Sequence, residues 1–179
     1  MLPLNSGVRG GKIVRIAVLV VLLSALFAIP APSEAASVTA EMSSDYSVSI
    51  IKMTARNSPN PDFDSACLEG LSGSALSSEY EAFLARNFDA QERAQLDAFY
   101  GSNAGRKFMA DALRQTESIK FGVKHDPVQL TAEERDFVEA FVGSPLWRKY
   151  KDLALQFGPE WNDQVGVAFA ELFLSCKRT

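Results

Sequence analysis

Histidine is nearly absent from this sequence: His125 is the only one in 179 residues. A zinc site built on several histidines is thereby excluded, and a Ser-His-Asp triad has one possible base. His125 stands in a linker beside Lys124 and Asp126, where an exposed loop histidine is the ordinary reading. Cysteine is as sparse. Cys67 and Cys176 are the only two, and neither belongs to a Cys-x-x-Cys redox motif. There is no Gly-rich phosphate loop and no serine nucleophile elbow. Asp62 and Asp64 flank Phe63 in a Pro-rich loop but lack the ligand series of an EF-hand. No metal or cofactor is expected. Paired carboxylates such as Glu133-Glu134 or Glu79/Glu81 suit acid/base work by type, but acidic residues also favour helix starts through the dipole.

The apolar run Ile16–Ile29, interrupted only by Ser24, has 14 residues. That falls short of the roughly 20 needed to span a bilayer. Arg9, Lys12 and Arg15 precede it, Pro30 and Pro32 end it, and Ser33-Glu34-Ala35 places small residues where a signal peptidase reads. Residues 1–35 are read as a signal peptide, cleaved after Ala35 or, alternatively, after Ala36. No twin-arginine pair and no cysteine near the cleavage region occurs, which favours the general secretion route over a lipoprotein. Removing Arg9, Lys12, Arg15 and Glu34 from 18 basic and 22 acidic residues leaves 15 and 21, a formal charge of −6. Nucleic acid, which requires a basic footprint, is not an expected partner. Stable membrane insertion after cleavage is not expected either.

Residues 36–179 are read as a single helical domain. In an exported chain, two cysteines usually bridge each other. A Cys67–Cys176 disulfide would contribute up to about 4.7 kcal/mol by the chain-entropy account of a loop this long; two free thiols are the alternative. Residues 36–41 read as a frayed start. Met42, Tyr46, Ile50 and Met53 recur at helical spacing, although residues 46–50 also alternate like a strand. Residues 57–61 break the pattern. A short helix is expected near residues 66–71, and Ser77 or Ser78 is expected to cap the next one. The last helix carries Trp161, Val165, Ala168, Phe169, Leu172, Phe173 and Cys176 on one face.

A repeat with a period of 42 residues occupies the middle of the chain. Residues 88–113 and 130–155 agree at 11 of 26 positions without gaps, where chance gives about two. Asp89-x-x-Glu92 and Thr131-x-x-Glu134 are capping boxes. Gly101 and Gly143 stand where a left-handed helix end is expected, and Ser102 and Ser144 then start second helices, with Pro145 at a first helical position. Each copy reads as a helical hairpin, and the two are expected to pack with approximate two-fold symmetry. The fold class is therefore all-α, a small helical bundle built around two homologous helical hairpins.

The words Phe99-Tyr100-Gly101-Ser102-x-x-Gly105-x-Lys107 resemble the signature of an exported, mostly bacterial family known as domain of unknown function 2059. The resemblance covers roughly residues 75–115, with a weaker echo in 130–155. It implies a signal peptide and a small helical domain, and it implies no chemistry. The second copy departs from the signature, with Val142 for Tyr100 and Trp147 for Gly105.

The candidate binding residues are Tyr100, Arg106, Lys107, Trp147, Arg148 and Lys149. The two Arg-Lys pairs, if symmetric, would line a groove for an acidic ligand; alternatively they pair with Glu92 and Glu134 or face solvent. Arg93 and Arg135 are candidates for bracing the hairpin turns. Trp147, Tyr150, Phe157 and Trp161 form either packed core or a binding surface. The function expected is non-enzymatic: an interaction or accessory factor of the envelope, partnered by another periplasmic or envelope protein. The alternative is an immunity-type inhibitor of a toxin acting in the periplasm.

Overall fold

The computed structural model describes residues 36–155 and 158–178. The expected signal peptide and Phe157 lie outside the described residues. Helix α1 (Val38–Asn57) is followed by α2 (Ser65–Gly70), α3 (Ser77–Asn87), α4 (Ala90–Gly101) and α5 (Asn103–Phe121). Next come α6 (Ala132–Val142) and α7 (Pro145–Tyr150), which runs on through a π turn at Lys151–Leu155. Then α8 (Pro159–Trp161) leads through a second π turn, Asn162–Gly166, into α9 (Val167–Leu174). Among the described residues there is no strand, only an isolated antiparallel bridge between Phe63 and Lys177. The architecture is all-α.

Helix α1 departs from its sequence reading in two ways. Its start is pinned rather than frayed. Ser37 caps the helix by accepting from the Ala40 N–H, and its own N–H donates to Glu81 at 2.9 Å. The Thr39 N–H and hydroxyl both donate to Asp97, at 2.8 and 2.6 Å. The buried face is also rotated away from the expected stripe. Ser43, Ser44, Ser47, Val48 and Ile51 are buried, while Met42, Tyr46 and Ile50 are only half-buried; of the expected stripe Met53 alone is buried. Buried hydroxyls are tolerated where each finds a partner. Ser44 donates to the Gly73 carbonyl and accepts from the Leu76 N–H, and the other two serines bond tyrosines. Helix α3 is likewise started differently from expectation. Leu76 is the cap position, and the buried Ser77 hydroxyl has no hydrogen-bond partner.

Both capping boxes form, at Asp89/Glu92 and Thr131/Glu134. Ser102 and Ser144 then cap α5 and α7 by accepting from the Gly105 and Trp147 N–H groups. The expected left-handed glycines do not occur. Gly143 is right-handed at φ −75°, Gly101 is simply the last residue of α4, and among the described glycines only Gly122 has positive φ. The chain turns instead at the extended serines, Ser102 at ψ 161° and Ser144 at ψ 154°. Gly105 is needed for close approach: a Cβ there would overlap the Phe99 carbonyl.

The hairpins meet through contacts that exchange aligned positions. Phe99 stacks on its counterpart Phe141, with ring centroids 3.6 Å apart and planes 8° from parallel. Lys107 pairs with Glu134 at 2.6 Å, and the aligned Lys149 pairs with Glu92 at 2.6 Å. Contact of i with j and of the counterpart of j with the counterpart of i is the signature of a two-fold arrangement. At the far end, Cys67 and Cys176 form a disulfide with Cα atoms 5.5 Å apart. It joins a second apolar cluster of Ile51, Ala55 and Leu68, where Phe63 lies against Phe173.

Replacing both cysteines by alanine is expected to lower stability by up to about 4.7 kcal/mol, read from the denaturant midpoint. An unchanged midpoint would remove the staple's role. Gly105→Ala is expected to cost about 3 kcal/mol, because the added methyl meets backbone that cannot yield. Glu134 is held below the usual carboxylate range, chiefly by the hydrogen bond from Lys107 and then by the Thr131 N–H. A depressed folded-state value stabilises the fold above the unfolded value near 4.5, and that contribution is lost as pH falls through the lower folded value. Glu134→Gln is therefore expected to flatten the acid limb of stability as pH falls below the unfolded value near 4.5. An unaltered limb would show that the pair is not maintained in solution.

Candidate functional site

All four tyrosines and both tryptophans of the chain line two adjoining cavities. The inner one, about 190 Å³, is walled by Tyr100, Tyr150, Trp147, Phe108, Met109 and Ala112. The outer one, about 290 Å³, is walled by Ile50, Thr116, Lys120, Trp161 and Phe169. Tyr46, Tyr80 and Ala154 border both. Tyr46 and Ile50 of the half-buried stripe of α1 thus line the cavities, while Met42 packs against the core. Helix α5 contributes Phe108, Ala112, Thr116 and Lys120, a row at four-residue steps that presents one helix face.

The tyrosine hydroxyls are tied into the walls. Tyr150 shares a hydrogen bond with Ser43 at 2.8 Å, and Tyr80 with Ser47 at 2.7 Å. Trp161 Nε1 donates to the Tyr80 oxygen at 3.3 Å. Tyr46 reaches across to Thr116 on α5 at 3.2 Å. Burial pushes the ionisation of Tyr80, Tyr100 and Tyr150 above the ordinary phenol value. All three are therefore neutral at physiological pH and present ring faces and edges, not charge. A separate depression of about 370 Å³ lies between Pro59, Pro61, Phe63 and Phe173; no charged side chain lines it.

The six candidate binding residues divide. Tyr100 and Trp147 stand on the inner cavity wall. Lys107 and Lys149 do not line an open groove, since each ends on a carboxylate of the opposite hairpin. Arg106 donates to the Gly101 carbonyl and so closes the end of α4, and Arg148 is exposed. Arg93 approaches Glu81 at 3.5 Å; Arg135 is exposed. His125 lies 2.7 Å from Glu117, whose carboxyl is held low first by Asn57 and then by this histidine. Cys67 is no nucleophile, being in the disulfide. Asp64 caps α2 by accepting from the Ala66 and Cys67 N–H groups. Among the described residues, no group of three His, Cys, Asp or Glu side chains is gathered to hold a metal.

Tyr46, Tyr80, Ile50, Thr116 and Lys120 were not singled out as binding residues from sequence. The four-residue row along α5 and the spacing of Ser43 and Ser47 were the available signals. Neither says which remote tyrosine comes to meet it.

No curated protein and no solved structure matches the chain. Residues 74–119, which span α3, α4 and most of α5, match the family described as "Uncharacterized protein conserved in bacteria (DUF2059)", the family that the Phe99–Lys107 signature resembles.

Proposed function

We propose that this protein is exported, with cleavage near Ala35, and acts in the periplasm or outside the cell as a non-enzymatic binding factor of the envelope. The observation that carries the reading is the collection of every tyrosine and tryptophan around two adjoining cavities. Pockets that bind are largely apolar and aromatic, with a few placed polar groups. The tyrosines support binding over catalysis, because hydroxyls committed to wall hydrogen bonds and held neutral are poor acids and bases. The Cys67–Cys176 disulfide supports an oxidising compartment. Among the described residues, no helix is long and apolar enough to cross a membrane.

Two measurements test the reading. Fractionation with intact-mass analysis is expected to find a chain beginning at Ala36 or Ser37 outside the cytoplasm; a full-length cytoplasmic chain would refute export. The tagged, oxidised mature protein, incubated with an envelope extract and washed in salt, is expected to retain one species at fixed stoichiometry. Tyr46→Ala should lose it. Retention of nothing, even after crosslinking, would refute the binding role.

A further inference from the structure

The geometry points to a ligand class for these cavities: an amphiphile with a single alkyl chain and an anionic head, the chain along α5 and the head at Lys120. This inference rests on the binding reading above. Its first support is shape. Phe108 to Lys120 spans twelve residue steps of one helix, a rise of about 18 Å at 1.5 Å per residue. The two cavities follow each other along that row and share Tyr46, Tyr80 and Ala154. The Tyr46–Thr116 hydrogen bond, 3.2 Å long, links α1 to α5 beside them.

Chemistry supplies the second support. The wall hydroxyls are paired with one another, so a ligand meets ring surface, Met109, Ala112 and Ile50. Such a lining rewards methylenes and offers little to a polar ligand body. The third support is charge. Lys120 is the only charged side chain lining either cavity, it is exposed, and it stands at the end of the row. No carboxylate lines the cavities, although acidic residues outnumber basic ones in the chain. Aromatic walls also suit a quaternary ammonium. Here, however, such a cation would approach Lys120 with no carboxylate to offset the repulsion.

Because Trp147 and Trp161 each line one of the cavities, intrinsic fluorescence reports occupancy directly. The mature, oxidised protein would be titrated with dodecanoate and with dodecyltrimethylammonium, both below their micelle concentrations. A saturable one-to-one change with dodecanoate is expected, with the ammonium probe at least about tenfold weaker. Lys120→Glu, an exposed substitution that leaves the walls intact, is expected to weaken dodecanoate about tenfold by exchanging attraction for repulsion. Ala112→Phe, checked for an unchanged circular dichroism spectrum, is expected to abolish the signal by filling the inner cavity. Absence of saturable dodecanoate binding overturns the inference, as does equal affinity for the ammonium probe or indifference to Lys120→Glu. If the envelope extract still yields a Tyr46-dependent species when dodecanoate fails, the ligand class is wrong and the binding role stands.

Discussion

Two serine–tyrosine hydrogen bonds, Ser43 to Tyr150 and Ser47 to Tyr80, hold the bundle around α1. They are the contacts on which the remaining arrangement depends. Serine is small enough to let neighbouring elements approach α1 closely, and its hydroxyl is costly to bury without a partner. Each serine therefore fixes the position of one tyrosine ring, from α3 in one case and from α7 in the other. Those rings in turn carry Trp161 and the end of the second hairpin. An apolar pair in the same places could give similar stability. It would not dictate where the aromatic edges point, and hence where the cavity walls stand.

The hairpins bring a second constraint to the same place. Stacking of Phe99 on Phe141 leaves little freedom to slide α4 over α6, and the two exchanged Lys–Glu pairs oppose rotation about that stack. Partly exposed ion pairs of this kind contribute little stability each. Their role is better described as orientation. With the hairpins so aligned, Phe108 and Tyr150, at equivalent positions of the two copies, both face the inner cavity, as do Ala112 and Ala154.

What could be read in the sequence was local. The capping boxes, the serines that start the second helices and the disulfide all depend on residues whose partners are near or whose chemistry is restrictive. The resemblance carried by Phe99–Lys107 likewise needed only contiguous residues. Gly101 and Gly143 misled because a glycine after an apolar stripe has two readings, a left-handed cap or an ordinary last residue. The serine that follows decides between them. For α1, the period of the pattern was right, but its phase held only at Met53. Hydropathy ranks Met42, Tyr46 and Ile50 above Ser43 and Ser47, yet the serines are buried, because Tyr150 and Tyr80 arrive from 107 and 33 residues away. The candidate site was half legible for the same reason. Tyr100 and Trp147 lie within the repeat, whereas Tyr46, Tyr80 and Lys120 join them only through tertiary packing.

The repeat also explains why a cavity persists where a dense core would be expected. Protein interiors close to crystal-like density unless something holds their walls apart. At one aligned position the copies differ most: Gly105 in the first, Trp147 in the second. Gly105 lets α5 close onto the Phe99 carbonyl, whereas Trp147 thrusts an indole between Phe108, Phe141 and Tyr150. A strictly symmetric pair would close or open on both sides together. Here one side is drawn tight and the other propped, and Ala112 and Ala154 are too small to fill the space between. The cavity is thus a product of broken symmetry, with the tight side providing rigidity and the propped side providing room.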